Sequence, residues 1–495
     1  MEELKQPFPP GSYDVVVVGS GPGGLQTSHS LTRLGVQHAV LSRDDAPGGM
    51  FRRFPIYERL ISWTKPDAPA ERGTREYECY DHNSLVGAAG ACALVPEFMD
   101  RTYDVPSRAE MESALVAFAE RGTVRVRYGC RWTGTRRDDD GWVVDTTDGE
   151  YRCRFAVFAV GMTQPWVPPQ LPGTEHAVHY VDARPAARYR DRRVVIIGKH
   201  NSGFELGNGL LPWARELVLV SPRPVQIDIL PRSPLRLRYL QPYEEYVRGG
   251  AGTFVVDAAI VGIERSNGAL RVHADGTTRP GRLDFDADDV ILATGFQSPL
   301  LDLRECGVAT ILNDRVPALS PFFESLSAPG IFFAGNVSSG SKGMRKHGAA
   351  PNSTSVNGFR YNACVLAEHL ADRLGIARRK PRLERDQLVS FLLGELSRAP
   401  ELWIQKNFLA RVVSVTEDGL HDEGILPLEH FLDAAGGDAV AAAIEMDPRA
   451  VIHPTVYVRR GGRVEEHELP PHPVHAFEGA EYRQELESRL KPVLG

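Results

Sequence analysis

The chain has 495 residues, of which 42% are hydrophobic and 24% charged, and its net charge is -7. That length exceeds what one hydrophobic core usually supports, so two or three domains are expected. The negative charge argues against nucleic acid or an anionic membrane surface as the main partner, and the longest small or apolar run, residues 85–95, is too short to span a bilayer. The opening MEELKQPFPPGSYD is acidic and proline-broken, unlike a secretion signal, so a cytoplasmic enzyme is expected.

Near the N-terminus, YDVVVVGSGPGGLQTSHSLTRLG predicts a buried strand, a glycine turn and a helix closing at Gly35. Gly19, Gly21 and Gly24 have the G-x-G-x-x-G spacing of a dinucleotide loop, which places a pyrophosphate at a helix N-terminus. A second short strand, QHAVLS, ends at Ser42. Residues 153–161 (CRFAVFAVG) form another buried strand, ending in Gly161.

The stretch VVIIGKHNSGFE, residues 194–205, repeats the first pattern with Gly198, Asn201, Ser202 and Gly203, but His200 takes the place of the middle glycine. That imidazole either crowds the pyrophosphate or, turned outward beside Lys199, adds a donor to it. Arg223 follows the strand ELVLVS and is placed to meet a 2'-phosphate, because guanidinium matches phosphate bidentately. Residues 221–242, proline-punctuated and basic, read as a long surface loop. DVILATGF (residues 289–296, with Thr294 and Gly295) and GIFFAGN (330–336) are further glycine-ended strands.

One Rossmann-like unit therefore lies inside another, with domains expected at 1–165, 166–284, 285–399 and 400–495. In the tail, TVYVRRGGRVEEHEL reads as a hairpin around Gly461 and Gly462. That tail is expected to be a small appended domain or the oligomerisation arm of a homodimer. The six cysteines show no close pair, which fits isolated thiols and argues against flavin disulfide reductases, which need two neighbouring cysteines. Only HPVH brings two histidines close, and a prolyl turn is a poor metal scaffold, so no metal is expected.

From residue 12 to about 372 the order of these motifs resembles the two-dinucleotide flavoproteins, in particular the flavin-containing monooxygenase group. The stretches RLISWTK, YDHNSL, PGTEHAVHYVDA, NSGFE and HGAAPNSTSVNGFRYNA are similar to the ER flavoprotein associated with degradation and its bacterial relatives. The resemblance implies an α/β fold of two nested Rossmann-like dinucleotide-binding domains, for FAD and NADPH, plus a small C-terminal α+β extension. FAD is expected at Gly19, Gly21 and Gly24. Ser42 would lie at its ribose, with Gly48, Gly49, Met50 and Phe51 beside the flavin and the Trp132 backbone near the adenine. Gly161 is also expected at the cofactors, and Gly335 and Asn336 close over the ribityl chain. NADPH is expected at Gly198, His200, Asn201, Ser202, Gly203 and Arg223, with Thr294 and Gly295 also counted among the cofactor-binding residues.

This sequence departs from the group at four places. Ser42 stands where an acidic residue usually holds the ribose, and His200 replaces a glycine. The phenylalanine-glycine-histidine monooxygenase fingerprint is rearranged around His176 and His179, and Thr64 replaces a flavin-side asparagine. The resemblance gathers Lys65, Asp81, His82, Asn83, Lys342, Arg345, Lys346 and His347 near the flavin. Thr64, Lys65, Asn83, Lys346 and His347 are the catalytic candidates. A charged pocket suits a small polar amine or amino acid. The implied reaction is NADPH-dependent N-hydroxylation with molecular oxygen through a C4a-hydroperoxyflavin. Two alternatives stay open: a flavin oxidase or dehydrogenase reduced directly by substrate, and a flavoprotein scaffold that binds a protein partner.

Overall fold

The computed structural model describes residues 6–57, 59–88, 90–225, 237–266, 268–341, 346, 351–377 and 380–494. The chain forms two compact units, one of Met1–Arg52, Ser62–Met162 and Ser298–Gly495, the other of Arg53–Ile61 and Thr163–Gln297.

In the first unit the strand Gly11–Val18 lies between His38–Leu41 and Gly149–Phe158, all parallel. Its run of valines is continuous because both faces are covered, and Val15, Val16 and Val17 are fully buried. The strand Ile331–Phe333 extends the sheet by pairing with the C-terminal half of Gly149–Phe158. An antiparallel meander through Gly141–Thr146 and Trp132–Asp138 pairs with its N-terminal half. The helix Pro22–Arg33 follows the first strand, with proline at its start, where no N–H is needed.

The C-terminal residues of this unit add a second sheet, six-stranded and antiparallel, in the order Arg382–Leu383, Gly419–Pro427, Leu409–Thr416, Ala439–Met446, Ile452–Arg460, Arg463–Glu468. Its last hairpin turns at Gly461 and Gly462, both at positive φ (54° and 80°), as the paired glycines predict.

The second unit holds a seven-stranded sheet. Thr253–Ser266, Glu216–Ser221, Arg193–Ile197, Asp289–Leu292 and Val178–His179 are parallel, and a hairpin of Ala269–Gly276 and Arg282–Ala287 adds an antiparallel edge. Asp289–Leu292 thus pairs inside this sheet, beyond the boundary expected at residue 284. A buried parallel strand belongs wherever its hydrogen bonds go, and a glycine-ended run does not reveal which sheet that is. Residues 53–61 also belong to this unit. There the Tyr57 N–H donates to Glu205 Oε1 at 2.6 Å, and the Tyr57 ring fills the space a side chain at Gly209 would need. Within the expected surface loop at 221–242, Leu237–Leu240 is helical and Tyr239 is buried, because Tyr239 packs into this unit's core, while residues 226–236 lie outside the described residues. Among the described residues no helix is long and apolar enough to cross a membrane.

Candidate functional site

Two strand–turn–helix loops carry the candidate sites, and they are locked in the same way. Gly19 has φ +117°, and a side chain on it would collide with the Ala159 carbonyl; Gly198 has φ +132° and faces the Ala293 carbonyl. Gly24 packs on the Gly19 carbonyl, and Gly203 packs on the Gly198 carbonyl. Each lock therefore takes two glycines and one alanine at the end of a neighbouring strand. FAVG and LATG carry this A-x-G signal in the sequence, and reading Ala159 and Ala293 together would have found it.

Both locks deliver an unspent helix N-terminus. Pro22–Arg33 starts from Gly21 and Asn201–Leu210 from His200, neither with a side-chain cap and neither with an acidic residue in its first turn. An anion at such a terminus meets the positive end of the helix dipole and the first-turn N–H groups, apart from Pro22, which has none.

Around the first loop the approach is backbone on backbone. Gly21 faces the Gly49 Cα, and a side chain at Gly23 would collide with Gly335. Met50 and Phe51 are half-buried on the short turn Gly49–Arg52. Asn336 Oδ1 is buried with no hydrogen-bond partner, an acceptor waiting for a donor. Ser42 Oγ shares a 2.8 Å hydrogen bond with Ser20 Oγ and accepts the Asp44 N–H, so it caps its own turn. Trp132 is buried against Phe158, with its indole N–H on the Gly134 carbonyl. Gly161, at φ +66°, ends the neighbouring strand stretch.

In the second unit Lys199 turns inward. Its ammonium pairs with Asp257 and its side chain is 1% exposed, so it offers nothing to a ligand at the helix terminus. His200 is exposed, in an extended backbone conformation open to any residue (φ -111°). Partial desolvation and the neighbouring Arg223 guanidinium hold its imidazole below the ordinary pKa. Arg223 is itself exposed, so His200 and Arg223 form one basic pair beside Asn201, Ser202 and Gly203. Thr294 and Gly295 close the base of this unit: the Thr294 hydroxyl donates to the Trp166 carbonyl (2.6 Å), and the Gly295 carbonyl meets His179 Nε2 (3.0 Å).

Of the catalytic candidates, Thr64 and Asn83 come together. The buried Thr64 hydroxyl donates to Asp81 Oδ1 (2.8 Å), and Asn83 Nδ2 donates to Thr64 Oγ1 (2.9 Å) and to the Ser62 carbonyl (2.9 Å). Asp81 Oδ1 also accepts the Asn83 and Ser84 N–H groups, so one carboxylate oxygen organises the turn. Arg360, absent from the sequence-based candidates, fixes this turn from behind: it is 1% exposed and donates to the Asp81 and Ser84 carbonyls at 2.8 Å each. Lys65 stands apart, exposed with its ammonium 5.6 Å from the Tyr80 ring centroid. Lys346 binds Glu445 (2.6 Å), Glu466 (2.5 Å) and the Tyr457 hydroxyl (3.1 Å), all on the C-terminal sheet. His347, Lys342 and Arg345 lie outside the described residues.

Burial raises the pKa of all six cysteines, to about 11 for Cys79 and Cys306 and about 12 for Cys153 and Cys364. All six are free thiols, and none has the lowered pKa of a reactive thiolate.

Fold and loops together define an α/β protein of two Rossmann-like dinucleotide-binding units. The family profile described as "Pyridine nucleotide-disulphide oxidoreductase" matches residues 16–335, and the chain belongs to that family. Among curated relatives it is similar to "FAD-dependent oxidoreductase domain-containing protein 2" of Mus musculus, 25% identical over 82% of this chain and 65% of that protein. The protein of the same name in Danio rerio is 29% identical over 44% of this chain and 32% of its own length, so the chain spans less than two thirds of either relative. "Probable indole-3-pyruvate monooxygenase" of Arabidopsis thaliana is 24% identical over 75% of this chain and 92% of that protein. A solved ornithine N-hydroxylase of Kutzneria sp. 744, with reduced FAD, NADP+ and L-ornithine, shares the fold at TM-score 0.55, with 18% identity over 74% of this chain and 100% of that one.

Proposed function

We propose that this protein is an NADPH-dependent flavin monooxygenase that N-hydroxylates a small polar amine or amino acid. The duplicated lock carries this reading: two uncapped helix N-termini, each held by a Gly–Ala–Gly contact, fit two dinucleotides. FAD fits the first, where Gly21, Gly49, Gly23 and Gly335 leave only backbone to line the approach and the Asn336 acceptor lacks a partner. NADPH fits the second, where His200 and Arg223 offer cationic and donor groups for a phosphate. When bound, FAD supplies the electron transfer from NADPH to oxygen.

The family name includes disulphide chemistry, but six protonated, unpaired thiols do not support it here. The likeness to monooxygenases supports oxygen as the electron acceptor. Around Thr64, Asp81 and Asn83 the hydrogen bonds are directed inward, and both Asn83 N–H groups are spent. Asn83 thus has its carbonyl oxygen left to receive the N–H of an amine. The motifs shared with the ER flavoprotein associated with degradation support placing the chain near that branch.

The test is an aerobic assay of the purified, flavin-loaded protein with NADPH and a panel of amino acids and diamines. Hydroxylamine product and hydrogen peroxide are measured against NADPH consumed. The proposal expects at least one amine to convert peroxide release into hydroxylamine formation. NADPH oxidation that yields peroxide alone with every amine refutes N-hydroxylation, and flavin reduced by substrate without NADPH establishes the oxidase reading in its place.

A further inference from the structure

The family profile stops at residue 335, and the six-stranded C-terminal sheet lies beyond it in the same compact unit as the first loop. The segment between the strand Ile331–Phe333 and the helix Val356–Arg373 leaves the carboxyl edge of the parallel strands, the edge where ligands bind in open α/β sheets. Its second residue, Gly335, lies against Gly23.

The C-terminal residues take hold of Lys346 and Asn352 in that segment and of the first turns of the helix that follows. Gln405 is fully buried; its Oε1 accepts the Asn352 N–H (2.8 Å), and its Nε2 donates to Asn362 Oδ1 (2.6 Å) and the Gly358 carbonyl (3.1 Å). The Asn407 carbonyl accepts the Lys346 N–H at 3.1 Å, while the Asn407 side chain bonds both the N–H and the carbonyl of Met446. The Lys346 ammonium ends on Glu445, which is 0% exposed. A buried carboxylate needs a partner, and here the partner comes from the segment itself.

We infer that the C-terminal residues latch the flavin-side edge of the first unit, with Gln405 and Glu445 as positioning residues that hold Asn352, Gly358 and Asn362, and Lys346, respectively. This rests on the reading that FAD occupies the first loop. The added sheet then shapes the floor of the cofactor site without touching the reacting atoms. Cofactor binding and latch order are consequently coupled, and each strengthens the other.

The experiment compares Glu445→Gln, Gln405→Ala and the conservative Glu445→Asp with the wild type in full-length protein. An exposed control, Glu465→Gln, lies on the edge strand. FAD affinity is read by flavin fluorescence and the flavin's surroundings by visible circular dichroism, with far-ultraviolet dichroism to verify folding. The latch predicts FAD binding weakened about fivefold, the worth of roughly one net hydrogen bond, with an altered visible band, partial recovery in Glu445→Asp and no change in the control. Folded variants with unchanged flavin affinity and visible band overturn it.

Should the variants not fold, hydrogen exchange on the wild type decides. FAD addition slows exchange at the 405–408 and 439–446 amides if the latch is real and leaves them unchanged if it is not. A wild-type protein that takes up no FAD refutes the cofactor reading and this inference with it, whereas unchanged variants of a protein that does take it up refute the latch alone.

Discussion

The two loops share the outer two glycines of the pattern and part at its middle one, Gly21 against His200. Gly21 and His200 both precede a helix in extended conformation, at φ -73° and -111°, so neither place demands a glycine for its backbone. Nor do the neighbours of Gly21 demand it: a Cβ there would meet the Gly49 Cα at an ordinary 3.7 Å, and it is Gly49 that has no room for a side chain, 2.8 Å from the Gly21 Cα. His200 is exposed, and its side chain has room to turn out beside Arg223. The outer glycines are different. Gly19 with Gly24, and Gly198 with Gly203, sit against carbonyl groups that leave no space for a Cβ. In such a loop the first and third glycines belong to the fold, and the middle one does not.

Changes to the lock should break this comparison most strongly. Gly24→Ala and Gly203→Ala each force a carbonyl aside and are expected to cost about 2–3 kcal/mol in urea unfolding. Gly24→Ala should also purify without flavin, whereas Gly203→Ala should keep its flavin and lose reduction by NADPH.

Next in size is Arg223→Ala. Loss of a charge-assisted phosphate contact is worth roughly 1.5–3 kcal/mol, so NADPH should bind about tenfold to a hundredfold more weakly while NADH is unaffected. Lys199→Met follows, with about 1–2 kcal/mol lost in thermal unfolding and NADPH affinity unchanged, because that ammonium serves Asp257 and not the ligand.

The smallest effect is expected at His200. Its pKa is lowered in the free protein, and a bound phosphate favours the imidazolium. NADPH affinity should therefore tighten as pH falls below neutral, and His200→Gly should flatten that slope while changing neutral-pH affinity by less than about 1 kcal/mol. Equilibrium titrations at several pH values measure both.

Strand, turn and helix at both loops were legible in the sequence because the lock is local: each glycine turn follows a run of buried β-branched residues. The partners of that lock, Ala159 and Ala293, arrive from strands far along the chain, and only the A-x-G ending that those two strands share announces them. Lys199 illustrates the same limit. In the sequence it sits inside the phosphate loop, yet Asp257, on a strand two places away in the sheet, draws it into the interior. Thr64 and Asn83 were both candidates, but what joins them is the Asp81 carboxylate, and the Asp81 backbone carbonyl is held by Arg360 from a distant helix. The C-terminal sheet showed only its last hairpin, because the glycine pair at 461–462 is the one strong local signal there. Gln405 and Asn407 act through contacts that no spacing announces.

The central claim is that the second loop, histidine included, delivers electrons from NADPH to a flavin on the first. Its most direct test is an anaerobic one: the flavin-loaded protein is mixed rapidly with NADPH, and separately with NADH, while the yellow flavin band is followed. Rapid bleaching by NADPH, with NADH much slower at equal concentration, is the predicted result. A flavin that stays oxidised with both nucleotides, with and without amines present, would contradict the account.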